Sequence, residues 1–285
     1  TNETRGRAMG VYRGVDMGAS LAAQLVISVL EPASYVSYNI LAIVCCAALL
    51  PLTLTTAKQP ETPTSPRLRP RLAFERSPLA AVGVIVAALS SASFRMVGPI
   101  YGQEVGLSTA QIAWFLAAFV LGGAMAQYPV GWLADKFDRR WVLIWLSAAA
   151  MLSCGITVLS TGFGTFGIMV TAALFGLTTF PIYSVAAAHA HDFADSSERV
   201  ELSAALMFYF AVGAIAAPFT ASALIEAYGP AALFAMISVG HGLLIIFGLA
   251  RMRARSTPAA RTRYVYAPRT SFVIGRLLGR SRERD

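Results

Sequence analysis

Charge is scarce in this chain: 13% of its 285 residues are Asp, Glu, Lys or Arg, against 56% that are hydrophobic. A soluble globular domain carries about a quarter charged residues, so a solvated enzyme of this size is excluded. The apolar content is also far too extended for a signal segment. Cysteine is scarce as well. The three present, Cys45, Cys46 and Cys154, lie in apolar stretches without metal-ligand spacing, so they are expected to be small buried residues that define no redox compartment. No glycine-rich phosphate-cradling loop occurs, which removes the usual ATP-driven pump. No nucleophile, general-base pair or metal constellation stands in a loop, so neither an enzyme nor a cofactor is expected.

What the chain has is length in its apolar runs. Eight stretches are long enough to cross ~30 Å of hydrocarbon as helices, at about 8–31, 35–56, 79–101, 109–132, 141–160, 164–188, 203–226 and 230–250. The fold class expected is an all-α polytopic membrane protein in contact with the lipid bilayer. Lys and Arg occupy alternate connections: Arg5, Arg7 and Arg13; Lys58 and four arginines from Arg67 to Arg76; Lys136, Arg139 and Arg140; Arg199; and ten arginines from Arg251 to Arg284. Segments 31–34, 102–109, 160–165 and 228–230 have none. Because basic residues stay on the cytoplasmic side, both ends of the chain are expected there. The net charge of +8 therefore reports topology, and no nucleic-acid partner is expected. The arginine-rich tail either rests on anionic headgroups or is solvated.

Residues 57–78, rich in Pro, Thr and Arg, read as a cytoplasmic linker that cannot hold a helix. Two spans precede it (1–56), six follow it (79–251), and a basic tail closes the chain (252–285). Gly18-Ala19 and Leu30-Glu31 align with Gly213-Ala214 and Ile225-Glu226, a weak repeat at an offset of 195. Two similar six-helix bundles joined by that linker would leave four helices missing from the front.

Between the fourth and fifth spans stands Gly131-Trp132-Leu133-Ala134-Asp135-Lys136-Phe137-Asp138-Arg139-Arg140. This segment resembles the short cytoplasmic loop motif of the major facilitator superfamily, and matches five of its six specified positions. The departure is Asp138, where that family has glycine; Asp tolerates left-handed backbone angles, so the turn can survive. The resemblance implies that the spans are helices 5 to 12 of a twelve-helix permease. The end of the tenth, Pro181-Ile182-Tyr183-Ser184 and Ala188-His189-Ala190-His191-Asp192, is similar to a bacterial branch whose substrates are mostly unassigned.

What the resemblance implies for function is a secondary active transporter of the bacterial cytoplasmic (inner) membrane. It would move a small solute by alternating access, as a monomer, by symport or antiport or down the solute's own gradient. A non-transporting receptor on the same scaffold is the competing reading. Gly131 would allow a close helix approach. Asp135, helped by Lys136, Arg139 and Arg140, would latch onto the start of the fifth helix near Thr4 to Ala8 when the cytoplasmic side is closed; a plain positive-inside turn is the other reading.

Polar residues inside spans are the remaining candidates. Gly10, Gly14, Gly18 and Ala22 make a packing ridge on the first span, and Tyr12, Asp16, Ser20 and Gln24 run down its other side at about 100° per residue. Asp16 either pairs with Arg13 or serves the permeation path. Arg95 stands inside the third span between Ser90, Ser91 and Ser93 and Gly98-Pro99, where a charge faces a cavity or a counter-charge. It either holds an anionic group of the solute, or orients Glu104 or Gln103, or snorkels outward. Thr178, Thr179, Tyr183 and Ser184 flank Pro181; their hydroxyls either bind a polar solute or bond their own backbone. His189, His191 and Asp192 point different ways on a helix, which disfavours a metal site.

Overall fold

The computed structural model describes residues 15, 18–26, 30, 33–54, 68–195 and 197–254. Residues 18–26 are helical. They are followed by α1 (Tyr35–Thr53), α2 (Arg71–Arg76), α3 (Pro78–Glu104), α4 (Thr109–Lys136), α5 (Arg139–Leu159), α6 (Gly164–His191), α7 (Arg199–Tyr228) and α8 (Ala232–Ala254). Among the described residues, six helices, α3 to α8, are long and apolar enough to cross a membrane; α1 holds a shorter apolar run, Tyr35–Pro51. Among the described residues the architecture is all-helical, and six of its helices have the length and apolar composition of membrane spans.

The helix starts follow from local chemistry. Ser77 accepts from the Ala80 N–H and Pro78 occupies the first turn of α3, where a missing backbone donor costs nothing. Ser108 and Gln111 form a reciprocal capping box that begins α4. Asp138 caps α5.

α3 and α6 form the middle of the body. α3 packs on α6, α7 and α8, while α6 packs on α3, α4 and α5. Lipid supplies no hydrophobic drive between helices, so contact depends on van der Waals fit and small residues. The tightest crossing joins α4 and α6. A Cβ added at Gly122 would lie 1.9 Å from the Ala173 carbonyl oxygen, and one added at Gly176 would lie 1.9 Å from that of Phe119. Beyond this crossing, away from the motif, Phe94, Phe115, Phe119 and Phe175 stack, with Phe94 4.3 Å from Phe119 and 5.0 Å from Phe175. Such ring pairs add about 0.5–1.5 kcal/mol each beyond burial. α3 is also tied to α8 by a buried hydrogen bond of 2.9 Å between Ser90 Oγ and His241 Nε2. Ser90 gives its hydrogen to the Val86 carbonyl, so Nε2 is the donor.

Three of the four tryptophans gather at the motif end, Trp132, Trp141 and Trp145, each about half exposed. The fourth, Trp114, sits one turn into α4 near the other end. Lys136 Nζ lies 4.9 Å from the Trp132 ring centroid, and Phe137 meets Trp145 edge-on at 5.7 Å.

Two expectations need correction. Cys154 is buried, but Cys45 and Cys46 are exposed on α1, because α1 turns no buried face toward the body among the described residues. The stretch 57–78 was expected to hold no helix, yet Arg71–Arg76 forms α2. Residues 55–67 lie outside the described residues. α2 is held by tertiary contacts: Leu72 and Ala73 are buried, and Phe74 meets Tyr209 edge-on at 4.9 Å. Arg69 pairs with Glu201 at 3.1 Å, and Arg76 with Glu198 at 2.6 Å.

The Arg76 hydrogen bond holds the Glu198 carboxyl below its ordinary value. A depressed carboxylate pKa stabilises the docked state above the usual carboxylate range, and that contribution is lost as pH falls through the lowered value. Glu198→Gln is therefore expected to loosen α2 at neutral pH as acid does in the parent. Hydrogen exchange over residues 71–76 checks it: faster exchange in the variant is the expected result, and equal exchange at pH 7 contradicts it.

Candidate functional site

α3, α4, α6 and α7, with Ser20 from residues 18–26, surround a cavity of about 450 Å³. Its polar lining comes from Ser91 and Arg95 on α3, Gln127 on α4, and Thr179, Tyr183 and Ser184 on α6. Its apolar lining includes Met96, Phe180, Met207 and Phe210. A volume of this size falls in the ~300–1,000 Å³ range of small-molecule sites.

The side chains reach this wall for reasons of spacing. Ser91 and Arg95 are one helical turn apart and share a face of α3. The Arg95 guanidinium lies 5.5 Å from the Phe180 ring centroid, so it extends sideways to α6 instead of along α3. A cation over an aromatic face gains about 0.5–2 kcal/mol, more as water is excluded. The hydroxyls of Ser91 and Thr179 donate to the Ala87 and Phe175 carbonyls at 2.8 Å each. Both hydroxyl hydrogens are thereby committed to the backbone of their own helices.

The motif end is a second polar assembly. Asp138 has φ −62° and ψ 121°, accepts from the Arg140 N–H at 3.0 Å, and takes the Arg140 guanidinium on both oxygens. Arg139 is 3% exposed; it donates to the Ala188 carbonyl at 3.0 Å and to the Asp192 carboxylate, and reaches Asp135 at 3.5 Å. It thereby satisfies the open C-terminal end of α6 from the first residue of α5. Gly131 is buried, while Asp135 is 39% exposed.

The sequence over most of the body decides the family. A family model described as Major Facilitator Superfamily matches residues 80–282. The chain belongs to the major facilitator superfamily. Among curated relatives, "Uncharacterized MFS-type transporter YcaD" of Salmonella heidelberg (strain SL476) is 28% identical over 251 residues, 84% of this chain and 62% of its own length. The protein of the same name from Escherichia fergusonii is 26% identical over 275 residues, 91% of this chain and 67% of its own. The chain thus spans about two thirds of the length of the curated relatives it matches.

Within this major facilitator chain, Arg95, Thr179, Tyr183 and Ser184 come together on one cavity. Thr178 does not join them. It turns to α5, with Oγ1 3.3 Å from Ser153 Oγ and bonded to the Leu174 and Phe175 carbonyls. The Gln24 Oε1 atom is buried without a hydrogen-bond partner among the described residues. Tyr12, Asp16, Arg13 and the Thr4 to Ala8 segment lie outside them.

Gln127 was missed, although an amide within an apolar span two residues before Pro129 was a readable signal. His241 was missed too; a lone histidine in the last span carried no spacing pattern. His191 Nε2 stands 3.2 Å from Ser203 Oγ, and His189 packs edge-on against Phe193 at 5.2 Å. Among the described residues no group of three or more His, Cys, Asp or Glu is close enough to hold a metal ion.

The departure from the family motif also behaves differently from expectation. Asp138 does not use left-handed angles; no described residue other than glycine has positive φ. Aspartate serves here as an N-cap and as the bidentate partner of Arg140, two jobs a glycine cannot do. Asp138→Ala is expected to cost about 1 kcal/mol, and Asp138→Asn less, because asparagine keeps the cap. Thermal unfolding in detergent measures both, and an alanine variant as stable as the parent contradicts the assignment.

Proposed function

We propose that the protein is a secondary active transporter of a bacterial cytoplasmic membrane, with the cavity between α3, α4, α6 and α7 as part of the solute path. The observation that carries this is the convergence of six polar side chains from three apolar helices on one cavity of about 450 Å³. Polar groups inside spans are costly unless they face water, a partner or a solute. Membership of a superfamily whose matched relatives are named as transporters points the same way, and away from an enzyme.

Alternating access supplies the mechanism: the cavity opens to one side at a time, driven by the solute's own gradient or by protons. The alternate placement of basic connections supports a cytoplasmic motif end. There Asp135 biases the closed cytoplasmic side, and because a ligand or latch shifts an equilibrium only by its differential affinity, the latch acts through contacts present in one state. No partner subunit is required by this reading.

Counterflow in proteoliposomes across a panel of small solutes tests it. Asp135→Asn is expected to lower flux at least severalfold while the amount of inserted protein stays constant. Flux unchanged by Asp135→Asn removes the latch; specific binding of a solute to the inserted protein with no flux of it supports the receptor reading instead.

A further inference from the structure

At the motif end the start of α3 meets Arg140 on α5, His189 on α6 and Arg251 in the last turn of α8 around a small pocket of about 20 Å³. We infer that this pocket takes a phosphate oxygen, and that its source is the headgroup of an anionic phospholipid. The pocket shares no lining residue with the larger cavity, so its occupancy is independent of the solute path.

The backbone supplies the first donor. N–H groups in the first turn of a helix point out of its N-terminal end. In α3, Pro78 has no N–H, the Ala80 N–H donates to Ser77 Oγ at 3.2 Å, and the Ala81 N–H donates to the Ser77 carbonyl at 3.1 Å. The Leu79 N–H is left without a partner, although Leu79 is 3% exposed and lines the pocket. The 27-residue α3 adds the positive end of its dipole at the same place.

His189 supplies the second donor. It is 5% exposed and makes no hydrogen bond among the described residues. Unpartnered histidine nitrogens with no access to solvent are Nδ1 of His191 and Nδ1 of His241, and neither nitrogen of His189 is among them. The surface that His189 keeps therefore includes ring nitrogen, and it opens on the pocket that His189 lines. A buried imidazole left unpaired is costly, and an acceptor in the pocket would take its N–H.

Charge comes from Arg251, which is partly buried and has neither a hydrogen bond nor an ion pair among the described residues. Arg140 is neutralised by Asp138 at 2.8 Å. Within four residues of any lining residue the carboxylates are Glu75, Asp138, Asp192 and Asp195. Asp138, Asp192 and Asp195 pair with Arg140, Arg139 and Arg76, and Glu75 is exposed on α2. Ser196 and Arg255, which lie in that range but outside the described residues, carry no negative charge.

Size and position select the source. About 20 Å³ admits one water-sized group, so a phosphate would place a single oxygen inside and keep its bulk at the mouth. Trp132, Trp141 and Trp145 gather at this end, and tryptophan belts sit at headgroup level. Exposed Arg253 beside Arg251 favours an anionic lipid over a zwitterionic one.

Native mass spectrometry of the 285-residue chain in neutral detergent, titrated with phosphatidylglycerol, counts the bound lipid. One saturable site is expected, with phosphatidylcholine at least fivefold weaker. Arg251→Gln should weaken phosphatidylglycerol at least tenfold and His189→Phe at least threefold. Arg253→Gln, which removes an exposed charge outside the pocket, should change it less than twofold. Thermal unfolding without lipid shows which variants are folded; if Arg251→Gln is not, His189→Phe against Arg253→Gln decides. Equal losses for the pocket variants and Arg253→Gln overturn the inference, because they show diffuse attraction to a basic rim. Binding without saturation, or indifference to both pocket variants, overturns it too. Inorganic phosphate is expected to leave the lipid in place; displacement at equal concentration, with the same dependence on Arg251, overturns the lipid as the source.

Discussion

Gly176→Ala is expected to abolish the folded, monodisperse protein, with a stability loss of about 3 kcal/mol or more. The new methyl would sit 1.9 Å from the Phe119 carbonyl oxygen and 2.8 Å from its carbon. Those are backbone atoms of a neighbouring helix, so no rotamer change relieves the overlap. Overpacking in a tolerant core costs about 1–3 kcal/mol; here the backbones of α4 and α6 must move apart at their crossing. Separation would also pull apart the ring stack of Phe119 on Phe175, whose centroids are 5.7 Å apart. Gly155→Ala provides the contrast, because a methyl there meets nothing within 4 Å. Glycine to alanine inside a helix gains about 0.8–1 kcal/mol of intrinsic propensity, so that variant should match or exceed the parent. Heating followed by size exclusion in detergent measures both, and a Gly176→Ala protein that elutes like the parent refutes the reading of the crossing.

Asp192→Ala is the second large effect, with an expected loss of about 3–5 kcal/mol. Arg139 and Asp192 are 3% and 5% exposed, and the guanidinium also holds the Ala188 carbonyl. Removing the carboxylate takes from a buried cation its buried acidic contact, while Asp135, 3.5 Å away, is partly solvated. Breaking one side of a buried pair is costly because the surviving charge remains desolvated; replacing both sides with apolar groups of similar size often is not. The double variant Arg139→Leu with Asp192→Leu should therefore recover most of the lost thermal stability. Equal stability of Asp192→Ala and the parent would show that water reaches the pair and that its burial carries no energetic weight.

The two variants bear on different parts of what could be read from the chain. Spans were legible because apolar runs end at Ser-Pro, Gly or charge; α3 begins at Pro78 behind its Ser77 cap as the residues suggest. The facing of each span was not. α6 is apolar all round, as helices in lipid are, so nothing in its pattern distinguishes Thr178 from Thr179, neighbours about 100° apart on the helix. One lines the cavity and the other bonds across to Ser153. α2 was illegible for a related reason: a six-residue helix is not stable alone, and what holds it, Tyr209, Glu198 and Glu201, lies more than a hundred residues away. Arg95 was legible because an arginine in a span stands out at once. Gln127 carries no charge and passed as background. Asp138 was noticed for the right reason, its departure from the motif, but the backbone angles argued for it were wrong; a side chain that caps a helix and grips Arg140 needs only extended backbone.

The placement of the tryptophans gives the molecule a built-in optical asymmetry. Trp132, Trp141 and Trp145 border the motif, and Trp114 lies toward the opposite end of α4. Ultraviolet emission from this protein therefore comes chiefly from one rim. Indole emission shifts with the polarity around it, so rearrangement of the helix ends beside Asp135 would register as a change of colour with no label attached. Quenchers carried on lipid chains and quenchers dissolved in water would then sample the same three rings from opposite directions.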